Sequence, residues 1–271
     1  MVDFFKGKCH YIFGILLVVS IIPFFGYFFS VKKEPENKPE LFDRSLSRIN
    51  SMEKAVNYVD SVYSTFGFQA FDTAQYVYIA SKFTKERFYH GLSRYSFAEN
   101  WLAVACAKIF WSHMSAIVCP NDILKHPDGL CSQQTIVFME ILRRKQISVR
   151  SVGLGYKEGP GHFLSEIKYN HDWHIHDVTK EPHWHKVVNH HLSMEYYLSN
   201  KDSLFLAYEG KLSRPVFDKI LEKVEYGNAN ELPARNMLLF HKATKFFTSA
   251  LPFTFLSLFL FCVFKRKKQF R

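Results

Sequence analysis

With 271 residues, a formal net charge of +10, 48% apolar residues and 28 phenylalanines, the chain carries more aromatic apolar surface than a wholly soluble domain needs; length alone allows one or two domains. The charge does not point to nucleic acid. Five of the cations (Lys265, Arg266, Lys267, Lys268 and Arg271) crowd the C-terminus, where membrane topology and anionic lipid account for them. The odd count of five cysteines, Cys9, Cys106, Cys119, Cys131 and Cys262, does not read as a disulfide framework and leaves at least one thiol to explain.

Residues 11–31 (YIFGILLVVSIIPFFGYFFSV) and 246–264 (FFTSALPFTFLSLFLFCVF) contain no charged residue. A bilayer core needs about 20 mainly apolar helical residues, so both stretches are expected to be transmembrane helices. Pro23 and Pro252 fit that environment, because neighbouring groups in a membrane helix can satisfy the freed carbonyls. No small-x-small cleavage site follows the first stretch, whose exit is Phe28-Phe29-Ser30-Val31-Lys32, so it reads as an uncleaved anchor. The basic tail 265–271, with Lys6 and Lys8 in the N-terminal 1–10, places both termini in the cytoplasm. Lys32, Lys33 and Lys38 oppose this, but Glu34, Glu36 and Glu40 lie among them. The segment between the spans is then periplasmic or extracellular.

Residues 32–40 are charged and proline-bearing and read as a linker. The exported domain is expected over 41–244. Leu46, Ile49, Met52, Val56 and Val59 recur at helical spacing, a second helix is expected near Asp72, and a third starts at the capping box Ser96-Phe-Ala-Glu99. Cys106 falls inside that third helix among small apolar residues, as a core residue would. A loop from Cys119 to Gly129 leads into a helix over about Cys131 to Arg144, with Cys131, Thr135, Phe138 and Leu142 along one side. Three strands are expected next, over Ser148–Tyr156, His162–Tyr169 and Asp172–Val178, the last two joined by a tight Asn170-His171 turn. Further helices start near Ser193 and at Ser213-Arg214-Pro215. The order is that of an α+β architecture.

A catalytic thiol needs a stabilised thiolate, a nearby base and a group that fixes the base. Cys131 follows Asp128-Gly129-Leu130 and opens a helix, where unpaired amides and the macrodipole favour an anion. The same amides, including that of Cys131, are placed to hold an oxyanion. His162 begins one strand and Asp177 ends the next, so a tight hairpin brings them together. Strand alternation puts Trp173, Ile175 and Asp177 on one face, expected to pack against the Cys131 helix, and points His174 and His176 the other way.

These residues carry a family resemblance. Gly129-Leu-Cys131, the passage Leu142 to Arg150, Gly161-His162-Phe-Leu-Ser-Glu166 and Trp173-His-Ile-His-Asp177 resemble the transglutaminase-like (papain-like) core, in a bacterial-type, membrane-anchored form. The resemblance covers Asp128 to Thr179, the expected core 128–179. It implies a nucleophile helix packed on an antiparallel sheet, with Cys131 as nucleophile, His162 as base and Asp177 as third member. It also implies acyl transfer or hydrolysis at an amide or peptide bond through a thioester, without a cofactor, on a peptide or protein of the cell envelope. Two departures bear on substrate: Val178-Thr179 follow the aspartate where many members have Pro and Thr or Ser, and Leu164 replaces an aromatic. Two other readings stay open. One is a non-catalytic envelope binding module on the same fold. The other is a metal site using His171, His174, His176, His183, His185, His190 and His191; against it, no H-E-x-x-H or C-x-x-C pair is present.

Overall fold

Side-chain caps at Asp43, Ser51, Asp72 and Ser193 start several of the helical elements. The computed structural model describes residues 9–25, 42–155, 161–180, 182–186 and 192–269. The 32–40 linker, residues 26–31 of the first apolar stretch, His190, His191 and the last two residues lie outside them.

In chain order, helix α1 spans Cys9–Phe25. A 3-10 turn, Arg44–Arg48, precedes α2, Met52–Ser64. The single helical run expected from Leu46 to Val59 is therefore interrupted. Asp43 caps the 3-10 turn through Ser45 N (2.8 Å) and Ser51 caps α2 through Lys54 N (3.3 Å), two capping residues that favour separate starts. Asp72 caps α3, Thr73–Arg87, through Gln75 N at 3.0 Å. Strand β1, Tyr89–His90, is followed by α4, Phe97–Ile109, where Glu99 reaches back to Ser96 N at 2.8 Å. The expected loop holds the short α5, Pro120–Ile123, and β2, Asp128–Gly129. Helix α6 covers Cys131–Arg144, then come β3 (Val149–Gly155), β4 (His162–Tyr169) and β5 (Asp172–His176). The chain continues through α7 (Met194–Ser199), α8 (Lys201–Tyr208), α9 (Arg214–Ile220), β6 (Lys223–Tyr226) and α10 (Arg235–Gln269).

The chain divides into two compact units. The first gathers Met1–Glu34, Arg94–Ile117 and Asn236–Arg271. Within it α10 is 35 residues long, which at about 1.5 Å per residue exceeds a hydrocarbon core of about 30 Å. Phe246, Phe253, Phe261 and Phe264 stand more than 60% exposed along it, an apolar surface that water does not favour. Among the described residues it is the one helix long and apolar enough to cross a membrane; the described part of the first stretch forms a shorter apolar helix. His10 and Arg266 are hydrogen-bonded at 2.9 Å, and a Cβ on Gly14 would lie 3.4 Å from the Phe259 ring. Those two contacts, progressing in opposite directions along the chain, make α1 and α10 antiparallel. Asn100, buried and non-helical within α4, donates to Thr244 at 2.9 Å, and His241 Nε2 lies 2.9 Å from Met114 O.

The second unit comprises Pro35–Ser93 and Val118–Arg235 and is α+β. Its antiparallel sheet has the order β5-β4-β3-β6, while β1 and β2 form a separate parallel pair. The Asn170-His171 turn has both residues at positive φ, 50° and 72°, the conformation that matches the twist of a two-residue hairpin. Helices cover both faces of the sheet. Val152, Leu154, Leu164 and Ile175 enter a core with Met194, Tyr197, Tyr208 and Phe217 of α7–α9. On the other face Thr135 of α6 donates to Phe163 O at 3.3 Å, and the His176 ring lies 6.2 Å from that of Phe138. Trp173 and Ile175 do share one side of β5, but that side is covered by α7–α9, whereas α6 lies against the side that carries His176. A half-buried strand has a polar face to read; this one is covered twice, so alternation cannot tell which helix takes which side.

Arg150 on β3 and Glu166 on β4 are register partners and form an ion pair, Nε and Nη2 to Oε2 at 2.7 and 2.6 Å. Glu166 is wholly buried, its Oε1 accepting from Met194 N at 2.6 Å, and the Arg150 guanidinium lies between the rings of Trp173 (4.4 Å) and Tyr226 (4.5 Å). One pair thus joins all four strands to the start of α7. Removing one partner of a buried pair costs about 3–5 kcal/mol. Glu166→Leu, which strands both Arg150 and the Met194 amide, should lower the urea midpoint of the detergent-solubilised chain accordingly. Glu166→Gln, which keeps an acceptor for Met194, should lose clearly less; equal losses would mean that the acceptor for Met194 contributes nothing and the charge is the whole effect.

Candidate active site

The first turn of α6 is tied down by its own side chains. Leu130 N and Ser93 N both donate to Gln133 Oε1, at 3.1 and 2.9 Å, and Gln133 Nε2 returns a bond to Ser93 O at 2.8 Å. Gln134 Nε2 donates to Gly129 O at 2.7 Å. A Cβ on Gly129 would press on Gln134 and the Phe88 ring at 3.0–3.2 Å, so the glycine before Cys131 allows a close approach of backbone to side chains. The parallel register His90↔Gly129 holds that approach from the other side. Arg87, 1% exposed, donates to the carbonyls of Ile49, Leu124 and His126, which fixes the loop that leads into β2. Cys131 emerges from this frame half-buried at the first position of the helix.

His162 opens β4 opposite Leu154. A Cβ on Gly161 would collide with the Leu154 carbonyl oxygen, so only glycine lets the chain enter the strand there. His162 Nε2 and Asp177 Oδ2 are 2.6 Å apart, and the ring is also within hydrogen-bonding reach of the Cys131 thiol. Cys131, His162 and Asp177 are thus brought together, in that order.

Asp177 is buried, yet every acceptor position is used. Oδ1 accepts from the amides of Thr179 and Lys180, both at 3.0 Å; Oδ2 accepts from His162 and from the Tyr208 hydroxyl at 2.7 Å. The expected strand to Val178 stops at His176 because the next residues turn to bring those two amides onto the carboxylate. Burial alone would raise the pKa of Asp177, but the His162 charge, its hydrogen bond, the Lys180 amide and Tyr208 lower it from 3.8 to about 2. Burial likewise opposes a charged His162. The Asp177 carboxylate outweighs it, with the Cys131 contact adding, and raises that pKa from 6.5 to about 10. The Tyr208 hydroxyl, pushed well above its ordinary value by burial and by Asp177, stays protonated and donates.

Tyr208 was not foreseen. It ends α8, far along the chain from Asp177, and only its place as a lone hydroxyl in the apolar run Leu204-Phe-Leu-Ala-Tyr208 hints at a buried partner. The histidines are dispersed. His171 is exposed, His174 stacks on Tyr169 at 3.7 Å, and His176 packs near Phe138. Among the described residues no three His, Cys, Asp or Glu side chains gather as a metal site would require. The Cys119 thiol is buried, and Cys106 is half-buried in α4.

The groove at Cys131 and His162 has a volume of ≈360 Å³, with Gly153 and Gly155 in one wall and Lys223 and Glu225 at another. A larger cavity of ≈610 Å³ lies on the Asp177 side, against Tyr78, Lys85, Tyr169 and Trp184. The smaller groove is the one that meets the thiol. No family model matches the chain, and neither the curated proteins nor the solved structures contain a match to it.

The pKa displacements fix a pH window. His162, raised above its unfolded 6.5, contributes stability that is complete below that value and lost as pH rises through about 10. Asp177, lowered, contributes fully above 3.8 and loses it as pH falls toward about 2. Asp177→Asn should therefore cost most between those limits, about 3 kcal/mol as for other broken buried pairs. Thermal melts should show the gap to wild type closing as pH approaches 10; a gap that does not change with pH would remove the charge from the account.

Proposed function

We propose that the chain is a membrane-anchored thiol enzyme of the transglutaminase-like (papain-like) kind, in which Cys131 is the nucleophile, His162 the acid–base group and Asp177 the residue that orients it. The observation that carries this reading is the ordered contact of Cys131, His162 and a buried, fully hydrogen-bonded Asp177. A structural ion pair has no need of a half-exposed sulfur at a helix start beside a groove.

When His162 takes the thiol proton, the imidazolium next to the sulfur favours the thiolate. The sulfur attacks an amide carbonyl carbon, and the amide at the start of α6 steadies the resulting oxyanion. The C–N bond breaks as His162 gives its proton to the leaving amine, and a thioester remains on Cys131. Water or a second amine then attacks the thioester, His162 takes the proton of the attacking group, and the C–S bond breaks to restore the thiol. Asp177 keeps Nε2 of the ring occupied throughout, so that Nδ1 serves the sulfur. Hydrolysis of a peptide or amide ranks slightly ahead of transfer to an amine.

The proposed setting is the outer side of a membrane, with spans at 11–31 and 246–264, both termini cytoplasmic and a peptide or protein of the cell envelope as substrate. The antiparallel contact of α1 with α10 supports termini on one side, and the basic tail supports the cytoplasmic one.

Two measurements test this. Iodoacetamide should alkylate Cys131 faster than Cys106 or Cys119 near pH 6, and His162→Ala should abolish that advantage while the fold survives; an unchanged rate in His162→Ala defeats the catalytic reading. A reporter fused after Arg271 should behave as cytoplasmic and one inserted at 32–40 as exported. The reverse pattern would put Cys131 on the other side of the membrane.

A further inference from the structure

Behind the turn that holds Asp177 lies a third cavity, of ≈230 Å³, walled by Lys85, Phe88, His90, Gln134, Thr179 and Lys180. Its polar wall is lopsided. Lys85, which also lines the larger cavity, Lys180 and His90 belong to it, and no carboxylate residue lines it among the described residues. Gln134 has already given its amide to Gly129 O. The Thr179 hydroxyl is buried and has no hydrogen-bond partner among the described residues; a buried polar atom left in this way calls for an occupant that can satisfy it. His90 and Lys180 have no side-chain hydrogen bond or ion pair among the described residues. Lys180 acts unfavourably on a charged His90. Burial lowers the pKa of His90, and Lys180 and His162 lower it further against Asp177; burial lowers that of Lys85, and Lys211 adds to it against Glu86 and Asp177. Of the described acids that act on these groups, Glu86 acts on Lys85, and Asp177 is consumed by its four hydrogen bonds.

We propose that this cavity is a binding site for a compact oxyanion, a carboxylate or a phosphate, held by Lys180, Lys85, His90 and the Thr179 hydroxyl. Ligand pockets for larger molecules run to about 300–1,000 Å³, so the space suits a small anionic group on a short stem. The amides of Thr179 and Lys180 are the same ones that grip Asp177 Oδ1. An anion bound to their side chains therefore sits one turn away from the catalytic carboxylate. As a subsite, it would fix an anionic end of the acyl donor or acceptor. That role rests on the thiol-enzyme reading; the binding itself does not.

The full chain in non-ionic detergent, at constant chloride, should broaden the phosphorus resonance of inorganic phosphate in a saturable way. Acetate that reverses the broadening identifies a carboxylate as the natural group; failure of acetate to compete identifies a phosphoryl group. Lys180→Gln, which leaves the backbone grip on Asp177 in place, should weaken phosphate about ten-fold, the worth of one charge-assisted hydrogen bond. Thr179→Val should weaken it in the same direction without a change of charge. Lys82→Gln, exposed on the same helix as Lys85, should leave it unchanged. Non-saturable broadening, or equal losses in Lys82→Gln and Lys180→Gln, would overturn the proposal. Cys131→Ala should bind phosphate as wild type does, so the site stands or falls independently of the thiol chemistry.

Discussion

The second unit is organised around one buried charge. A carboxylate taken out of water costs several kcal/mol unless its oxygens are paired, and Asp177 meets that cost with four partners drawn from three places: the start of β4, the turn 178–180 and the end of α8. Each partner is thereby fixed in turn. The imidazole of His162 keeps one orientation, the chain leaves the sheet immediately after His176, and Tyr208 pins the helical layer to the sheet. Arg150 and Glu166 repeat the device at the middle of the same strands. Position of the site and stability of the fold are therefore the same problem here, and a change that loosens Asp177 is felt by both.

Much of this was legible in the sequence. Gly129 before Cys131, Gly161 before His162 and the Asn170-His171 turn mark where the backbone must be tight, and the structure has its close approaches and its positive-φ pair at those places. The strand His162–Tyr169, the helix Cys131–Arg144 and the α+β order follow from period and punctuation. What was not legible has a common cause. The side of the sheet that faces α6, the partner Tyr208, the edge strand β6 and the β1–β2 pair all depend on residues distant along the chain. Local period carries no information about which distant element covers a face, least of all when both faces are covered. Arg150 and Glu166 are sixteen positions apart in the chain, and only the β3–β4 register makes them one interaction.

The first unit presents a different surface. Its long helix α10 leaves phenylalanines exposed along its length, while Asn100, Thr244 and the Nε2 of His241 make hydrogen bonds within the unit. An apolar exterior with polar groups turned inward is the arrangement a bilayer favours. The proposed reading joins the two units in one role: a thiol site held at a membrane surface, acting on peptide or protein material there.

The most direct measurement is capture of the acyl-enzyme. The detergent-solubilised chain, mixed with an activated ester such as p-nitrophenyl acetate and quenched in acid, should gain one acetyl group, mapped to Cys131 by peptide mass spectrometry. Cys131→Ala should gain none, and His162→Ala should acylate and turn over far more slowly, by about 10²–10⁴-fold as for other acid–base groups. An acetyl group on Cys119 or Cys106 instead, or labelling of Cys131 at the same rate with His162 removed, would contradict the account.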